Sequence, residues 1–176
     1  MDRVTLGQAL VRASYLEGDF VLSSGKRSRY YFDKYLFETE PRLLRAVAEH
    51  LAEMLPPETQ RLAGPELGAV ALAAAVSLQK DLPFVIVRRS NKGYGTTRAI
   101  EGRIVAGESV VLIEDILTSG GQAAQAALRL REAGADVRLV LAVVDREEGA
   151  AAALGEAGLP MRALFCRSEL EGWRQG

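Results

Sequence analysis

The sequence predicts an α/β fold in which a parallel sheet is flanked by helices and preceded by a small antiparallel N-terminal subdomain. Three observations carry this. Val110 to Ile113 is an unbroken branched-apolar run, as in a strand buried on both faces; Ala123 to Ala133 is an Ala- and Leu-rich run that reads as a helix; Val137 to Val144 reads as a further buried strand. Strand, helix and strand in that order make a βαβ unit, so the sheet is expected to be parallel with right-handed crossovers.

The other elements follow along the chain. Thr5 to Leu16 reads as a first helix, and Phe20 to Leu22 and Tyr30 to Tyr35 read as extended pieces around the turn Ser23-Ser24-Gly25-Lys26. Pro41 opens a second helix at a position proline tolerates, and Pro56-Pro57 closes it after Leu55. A short piece at Leu62-Ala63 leads through Gly64-Pro65 into an Ala-rich helix from Leu67 to Lys80, and Phe84 to Val87 is another buried strand. No internal repeat or low-complexity linker divides the 176 residues, which read as one domain over 1–176.

Composition narrows the function classes. Nearly half the residues are apolar (48%), enough for a substantial core, and the formal net charge of −1 argues against a general nucleic-acid or membrane surface. No apolar run is long enough to span a bilayer, and Met1-Asp2-Arg3 does not resemble the start of a signal peptide, so a cytoplasmic enzyme is expected. The single cysteine, Cys166, excludes an intrachain disulfide and a cysteine-based zinc site; its apolar neighbours suggest a small core residue. The single histidine, His50, is expected on a helix surface, so no serine–histidine triad or paired-histidine metal site is expected without a partner chain.

The most informative segment is Val110-Val111-Leu112-Ile113-Glu114-Asp115-Ile116-Leu117-Thr118-Ser119-Gly120-Gly121-Gln122. A buried strand runs into two carboxylates and then into a hydroxyl- and glycine-rich turn at a helix N-terminus. Unpaired backbone N–H groups and the helix dipole favour an anion there, and glycine lets the backbone approach it closely. Two acidic side chains would repel a ligand that was phosphate alone. As acceptors they suit the hydroxyls of a ribose or a hydrated metal ion, so the segment fits a sugar carrying a phosphate at one end.

Ligands of parallel sheets bind at the carboxyl ends of the strands, where Glu114, Asp115, Arg88, Arg89, Asp145 and Arg146 all fall. Between the strands at Phe84 and Val110 lies Arg88-Arg89-Ser90-Asn91-Lys92-Gly93-Tyr94-Gly95-Thr96-Thr97-Arg98. It is polar, basic and longer than the usual connection, in the manner of a mobile loop that closes on a ligand. Its cations suit a pyrophosphate, although composition alone equally fits a solvated basic hairpin. Tyr31 and Phe32 are open to two readings as well, ordinary packing or the wall of a pocket. Arg146 on its own reads as a surface ion-pair partner of Glu147 or Glu148.

The acidic strand end and phosphate turn resemble the ribose-phosphate motif of the type I phosphoribosyltransferases, departing at Gln122, where that family usually has Thr or Ser. Three further segments are similar to the orotate phosphoribosyltransferase family within it. They are Leu22 to Asp33 (Ser24-Gly25 through Tyr31, the family's hood segment), Arg88 to Gly95 (its flexible catalytic loop) and Val143-Val144-Asp145-Arg146-Glu147-Glu148-Gly149. Smaller departures are Arg27 where many members have Lys, Tyr94 where some have His, and Leu67 where some have Lys.

The resemblance implies a type I phosphoribosyltransferase-like sheet with a hood formed mainly by residues 1–40. It implies transfer of the 5-phosphoribosyl group from phosphoribosyl pyrophosphate to orotate, giving orotidine 5′-monophosphate and pyrophosphate on the way to UMP, with Mg²⁺ held mainly through the substrate. Arg27, Tyr31, Phe32, Thr118 and Arg146 would meet orotate. Glu114 and Asp115 would hold the ribose hydroxyls, and Ser119, Gly120, Gly121 and Gln122 the 5-phosphate. Arg88, Arg89, Lys92, Tyr94 and also Thr118 would contact the phosphoribosyl pyrophosphate, with Arg89 and Lys92 reaching over from the other subunit of a homodimer. Lys92, Asp115 and Arg89 are the expected catalytic residues. Two alternatives remain at this level, a transferase for another base such as a purine and a non-catalytic sensor of phosphoribosyl pyrophosphate.

Overall fold

The structure is a computed structural model that describes residues 1–21, 25, 27–89 and 99–174, without the side chains of residues 28 and 30. The N-terminal part holds helix α1 (Arg3–Ser14), a hairpin of β1 (Tyr15–Val21) and β2 (Arg27–Phe32), and the short helix α2 (Lys34–Glu38). The remainder alternates: α3 (Pro41–Glu53), β3 (Arg61–Pro65), α4 (Gly68–Lys80), β4 (Phe84–Val87), β5 (Ile100–Glu101), β6 (Ser109–Leu117), α5 (Gly121–Glu132), β7 (Asp136–Asp145), α6 (Ala150–Glu156), β8 (Met161–Cys166) and α7 (Arg167–Arg174).

The main sheet has the order β5-β4-β3-β6-β7-β8, parallel throughout except for β5, which runs antiparallel beside β4 at one edge. Helices cover both faces. Val111 and Ile113 of β6 face a core shared with α1, α3 and α4, while Val110 and Leu112 face one shared with α5 and α6. This two-sided burial explains why β6 reads as an unbroken apolar run. Because β3, β4, β6 and β7 are parallel, their carboxyl ends meet along one edge, which is where a ligand crevice is expected. At the opposite edge Arg61 and Glu108 form a partly buried two-pronged ion pair at 2.7 and 2.9 Å.

Several local expectations change. The first helix begins earlier, because the Asp2 carboxylate caps it by accepting the Thr5 N–H at 2.9 Å. It also ends earlier, at Ser14; Tyr15 and Leu16 are the start of β1 and pair with Phe32 and Tyr31. Tyr35, expected to be extended, lies in α2. The cause is Asp33, whose side chain accepts the Tyr35 N–H and starts a helix that buries Phe37 completely. Cys166 is half-buried rather than in the core, with its Sγ 3.2 Å from Ser168 Oγ at the end of β8. His50 is on α3 as expected, its Nε2 2.9 Å from the Met1 carbonyl oxygen. Among the described residues no helix is long and apolar enough to cross a membrane.

Candidate active site

The carboxyl ends of the parallel strands and the β1–β2 hairpin enclose a crevice of about 780 Å³. Its floor is Glu114 to Gly120 and Gln122, one side is Pro65, Glu66 and Arg89, and the roof is Leu16, Phe20, Val21, Tyr31 and Phe32, with Arg146 at the remaining side. The structure thus brings together most of the residues singled out from sequence. Ser23, Ser24 and Lys26 of the hood turn, and Lys92 and Tyr94 of the basic loop, lie outside the described residues. Arg27 stands exposed at the start of β2 and is not among the residues lining the crevice.

The phosphate turn has the expected geometry. Gly120, at the N-cap of α5, has φ = 79°, and a Cβ there would lie 3.2 Å from the Ala150 backbone. Only glycine meets both demands without strain. No side chain caps this helix start, and Thr118, Ser119, Gly121 and Gln122 are exposed, so the first-turn N–H groups face the crevice side available to an anion.

The acidic pair behaves differently from two equivalent acceptors. Asp115 is 4% exposed; its Oδ1 accepts the Ile116 N–H at 2.5 Å and its Oδ2 accepts from the Lys34 ammonium. Glu114 is 8% exposed, and burial, followed by the charge of Asp115, pushes its pKa up to about 8. A proton held on Glu114 adds a donor to its acceptors, so the two side chains are not equivalent towards a ligand.

Three neighbours of Asp115 escaped the sequence reading: Lys34, Glu38 and Gly68. Lys34 and Glu38 are one turn apart on α2, and Gly68 begins α4 with its Cα facing Asp115 so closely that a Cβ would meet Oδ2 at 2.0 Å. Burial opposes the charge on Lys34, but the charge and hydrogen bond of Asp115 outweigh it and raise the lysine pKa above its ordinary value. Glu38 is 3% exposed, with its carboxyl group against that of Asp115. Burial first, and then Asp115, raises the Glu38 pKa from 4.5 to about 7. The one sequence clue to this group was Asp33, a strong N-cap residue just before an apolar-polar turn.

A pH dependence follows from Glu38. Its folded pKa lies above the unfolded value, so the folded chain holds the proton more tightly, and this contribution is complete below about pH 4.5 and is lost as pH rises through about 7. Urea unfolding of the Glu38→Gln protein should show a shallower loss of stability between these pH values than the unmodified chain. Equal slopes would mean that Glu38 does not hold a proton in this window.

The basic side is anchored from two directions. Glu66 Oε1 accepts the Arg89 N–H at 2.7 Å, and the Arg88 guanidinium lies 3.7 Å from both Glu66 and Glu101. Arg129 of α5 donates to the backbone carbonyls of Arg88 and, at 2.9 Å, Arg89. Arg89 lines the main crevice, while Arg88 lines an adjoining cavity of about 430 Å³ that it shares with Arg89, Ser119, Gly121 and Gln122. On the far side, Arg146 pairs with Glu148 at 2.9 Å, and its N–H donates to the Leu117 carbonyl at 2.8 Å, which fixes it beside the floor of the crevice. Of the two roof aromatics singled out from sequence, Tyr31 is exposed and stacks at a tilt on Phe20 (5.6 Å between centroids). Phe32 both lines the crevice and packs inward on Tyr15 and Phe37. Both readings of this pair, wall and packing, hold for Phe32.

Comparisons with known proteins point to one family. Residues 38–153 match the family model described as a phosphoribosyl transferase domain. An orotate phosphoribosyltransferase of Methanocella arvoryzae is 46% identical over 157 residues, covering 89% of this chain and 90% of the relative. The crystal structure of orotate phosphoribosyltransferase from Aeropyrum pernix superposes with a TM-score of 0.86 at 31% identity, covering 97% of this chain and 99% of that one. That of the Mycobacterium tuberculosis H37Rv enzyme in complex with 5-phospho-α-D-ribosyl 1-diphosphate superposes with a TM-score of 0.81 at 28% identity, covering 97% and 99%.

Proposed function

The chain belongs to the phosphoribosyltransferase family, and we propose that the crevice at the carboxyl ends of its parallel strands is where it carries out the family's chemistry on orotate. It transfers the 5-phosphoribosyl group of phosphoribosyl pyrophosphate to orotate, giving orotidine 5′-monophosphate and pyrophosphate, a step of pyrimidine biosynthesis. The observation that carries the site assignment is the junction of the buried pair Glu114–Asp115 with the uncapped N-terminus of α5, across the crevice from Tyr31 and Arg146.

In this reading the N–H groups of Ser119 to Gln122 hold the 5-phosphate. Asp115 accepts hydrogen bonds from the ribose hydroxyls, and Glu114, with its pKa of about 8, can donate one in return. Orotate lies under Tyr31 and Phe32 beside Thr118, and its carboxylate exchanges with Glu148 as the partner of Arg146. A ring nitrogen of orotate, its proton lost to solvent, forms the new bond to the anomeric carbon as the bond to the diphosphate oxygen breaks and its electron pair leaves with the diphosphate. Arg89, with Lys92, offsets the charge that develops there.

Among the described residues no three His, Cys, Asp or Glu side chains converge as a metal cage. A hard cation fits this crevice through the oxygens of the substrate, with the Asp115 carboxylate nearby. When bound, Mg²⁺ neutralises charge on the leaving diphosphate. We further propose a homodimer in which Lys92 serves the site of the other subunit; Arg89, expected to do the same, instead lines the crevice of its own chain, held there by Glu66 and Arg129. A cytoplasmic setting suits a chain with one cysteine and no disulfide.

The direct test is orotate consumption dependent on phosphoribosyl pyrophosphate and Mg²⁺. Its absence in folded protein, or turnover of a purine base instead, would overturn the reading. Arg146→Ala separates the two ligands: the KM for orotate should rise by roughly tenfold or more, as expected for loss of a charged hydrogen-bonding pair, with a much smaller effect on phosphoribosyl pyrophosphate. A larger effect on the sugar diphosphate would remove Arg146 from the orotate site.

A further inference from the structure

The carboxylate that faces the ribose position is not held by the sheet alone. Its Oδ2 accepts from Lys34, which comes from α2, 81 positions away in sequence, and the pair is largely buried, with 20% of the lysine side chain and 6% of the aspartate side chain exposed. The other oxygen accepts the Ile116 N–H, and Gly68 closes the space behind Oδ2. With both oxygens engaged, the carboxylate is fixed in one rotation about its Cβ–Cγ bond, and each oxygen keeps a lone-pair direction for a ligand hydroxyl.

We propose that Lys34 is a positioning residue: it orients Asp115 for the ribose hydroxyls and ties the N-terminal roof of the crevice to its floor. This rests on the reading of the crevice as a phosphoribosyl site. A second feature of α2 agrees with the assignment. Glu38, one turn on, is buried beside the same carboxylate, and its carboxyl group hydrogen-bonds with Asp115 when it holds a proton. A helix that carries only packing would not bring both an ammonium and a carboxyl group into a site where neither contributes apolar contact. The ammonium also offsets the charge of Asp115, which lies beside the buried carboxyl groups of Glu114 and Glu38.

The test is a mutant cycle read on binding of phosphoribosyl pyrophosphate with Mg²⁺, by calorimetry in the absence of orotate, together with steady-state kinetics. Lys34→Met should weaken binding of the sugar diphosphate by about tenfold or more, the scale of a charged hydrogen bond, while the KM for orotate at saturating co-substrate changes by no more than about twofold. Lys34→Arg, which keeps a cationic donor, should recover most of the loss. In an Asp115→Asn background the Lys34→Met change should cost less than about threefold, because there is no longer a carboxylate to orient. Equal costs in both backgrounds, or unchanged binding in Lys34→Met, would overturn the proposal. If Lys34→Met fails to fold, Lys34→Gln is read by the same criteria. Wild-type protein without orotate turnover would sink the function itself; turnover with an additive cycle would sink only the role of Lys34.

Discussion

Replacing Gly68 by alanine is expected to leave a folded protein with almost no transferase activity. In an ordinary helix the change would favour folding by roughly 1 kcal/mol, because alanine is the better helix former. Here the new methyl group would sit 2.0 Å from Asp115 Oδ2 and 3.0 Å from Glu38 Oε1, and the first of these distances is impossible. The aspartate side chain is the part that can move, by rotating out of its contacts with Lys34 and the Ile116 N–H. The activity should therefore fall toward that of Asp115→Asn, and the melting temperature should fall as well, because the largely buried Lys34 loses its partner. Measured kcat/KM within about twofold of wild type would mean that Asp115 need not occupy this position during turnover.

The second large effect concerns how sites are shared. Asp115→Asn keeps the shape of the side chain but removes the charge that accepts from the ribose and from Lys34, a loss of about 1.5–3 kcal/mol, or roughly tenfold to more than a hundredfold in rate. Lys92→Ala removes a cation from the basic loop and is expected to be comparably damaging. If that loop serves the opposite subunit of a two-fold dimer, a mixed dimer of the two variants regains one complete site. Random exchange makes half the dimers mixed, so roughly a quarter of all sites should recover. Exchange verified by mass with activity unchanged from the parents would show that each subunit uses its own loop, and the pyrophosphate contacts would have to be redrawn.

Much of the site was legible because its signals are local. The strand β6, the pair Glu114–Asp115, the Thr118 to Gln122 turn and helix α5 follow one another without interruption, and a βαβ unit permits one handedness and one edge for ligands. The same rule gathered Arg89 and Arg146 to that edge from other strands. The helix α2 was less visible. Its five residues are too few for a periodic pattern, and the Asp33 cap that starts it lies in a segment dominated by aromatic, strand-favouring residues.

The amino-acid sequence by itself determined the parallel α/β frame, the phosphate turn and the identity of the residues that reach the strand ends, because these depend on periodicity and on backbone demands such as the positive φ of Gly120. Only the tertiary structure decided the chemical state of the acidic pair. Two adjacent carboxylates look equivalent along the chain, yet one meets the ammonium of Lys34 and the other is buried at the foot of the crevice with its pKa near 8. The difference arises from desolvation and from a partner 81 residues away, and neither quantity exists until the hairpin, α2 and α4 have closed over the end of the sheet.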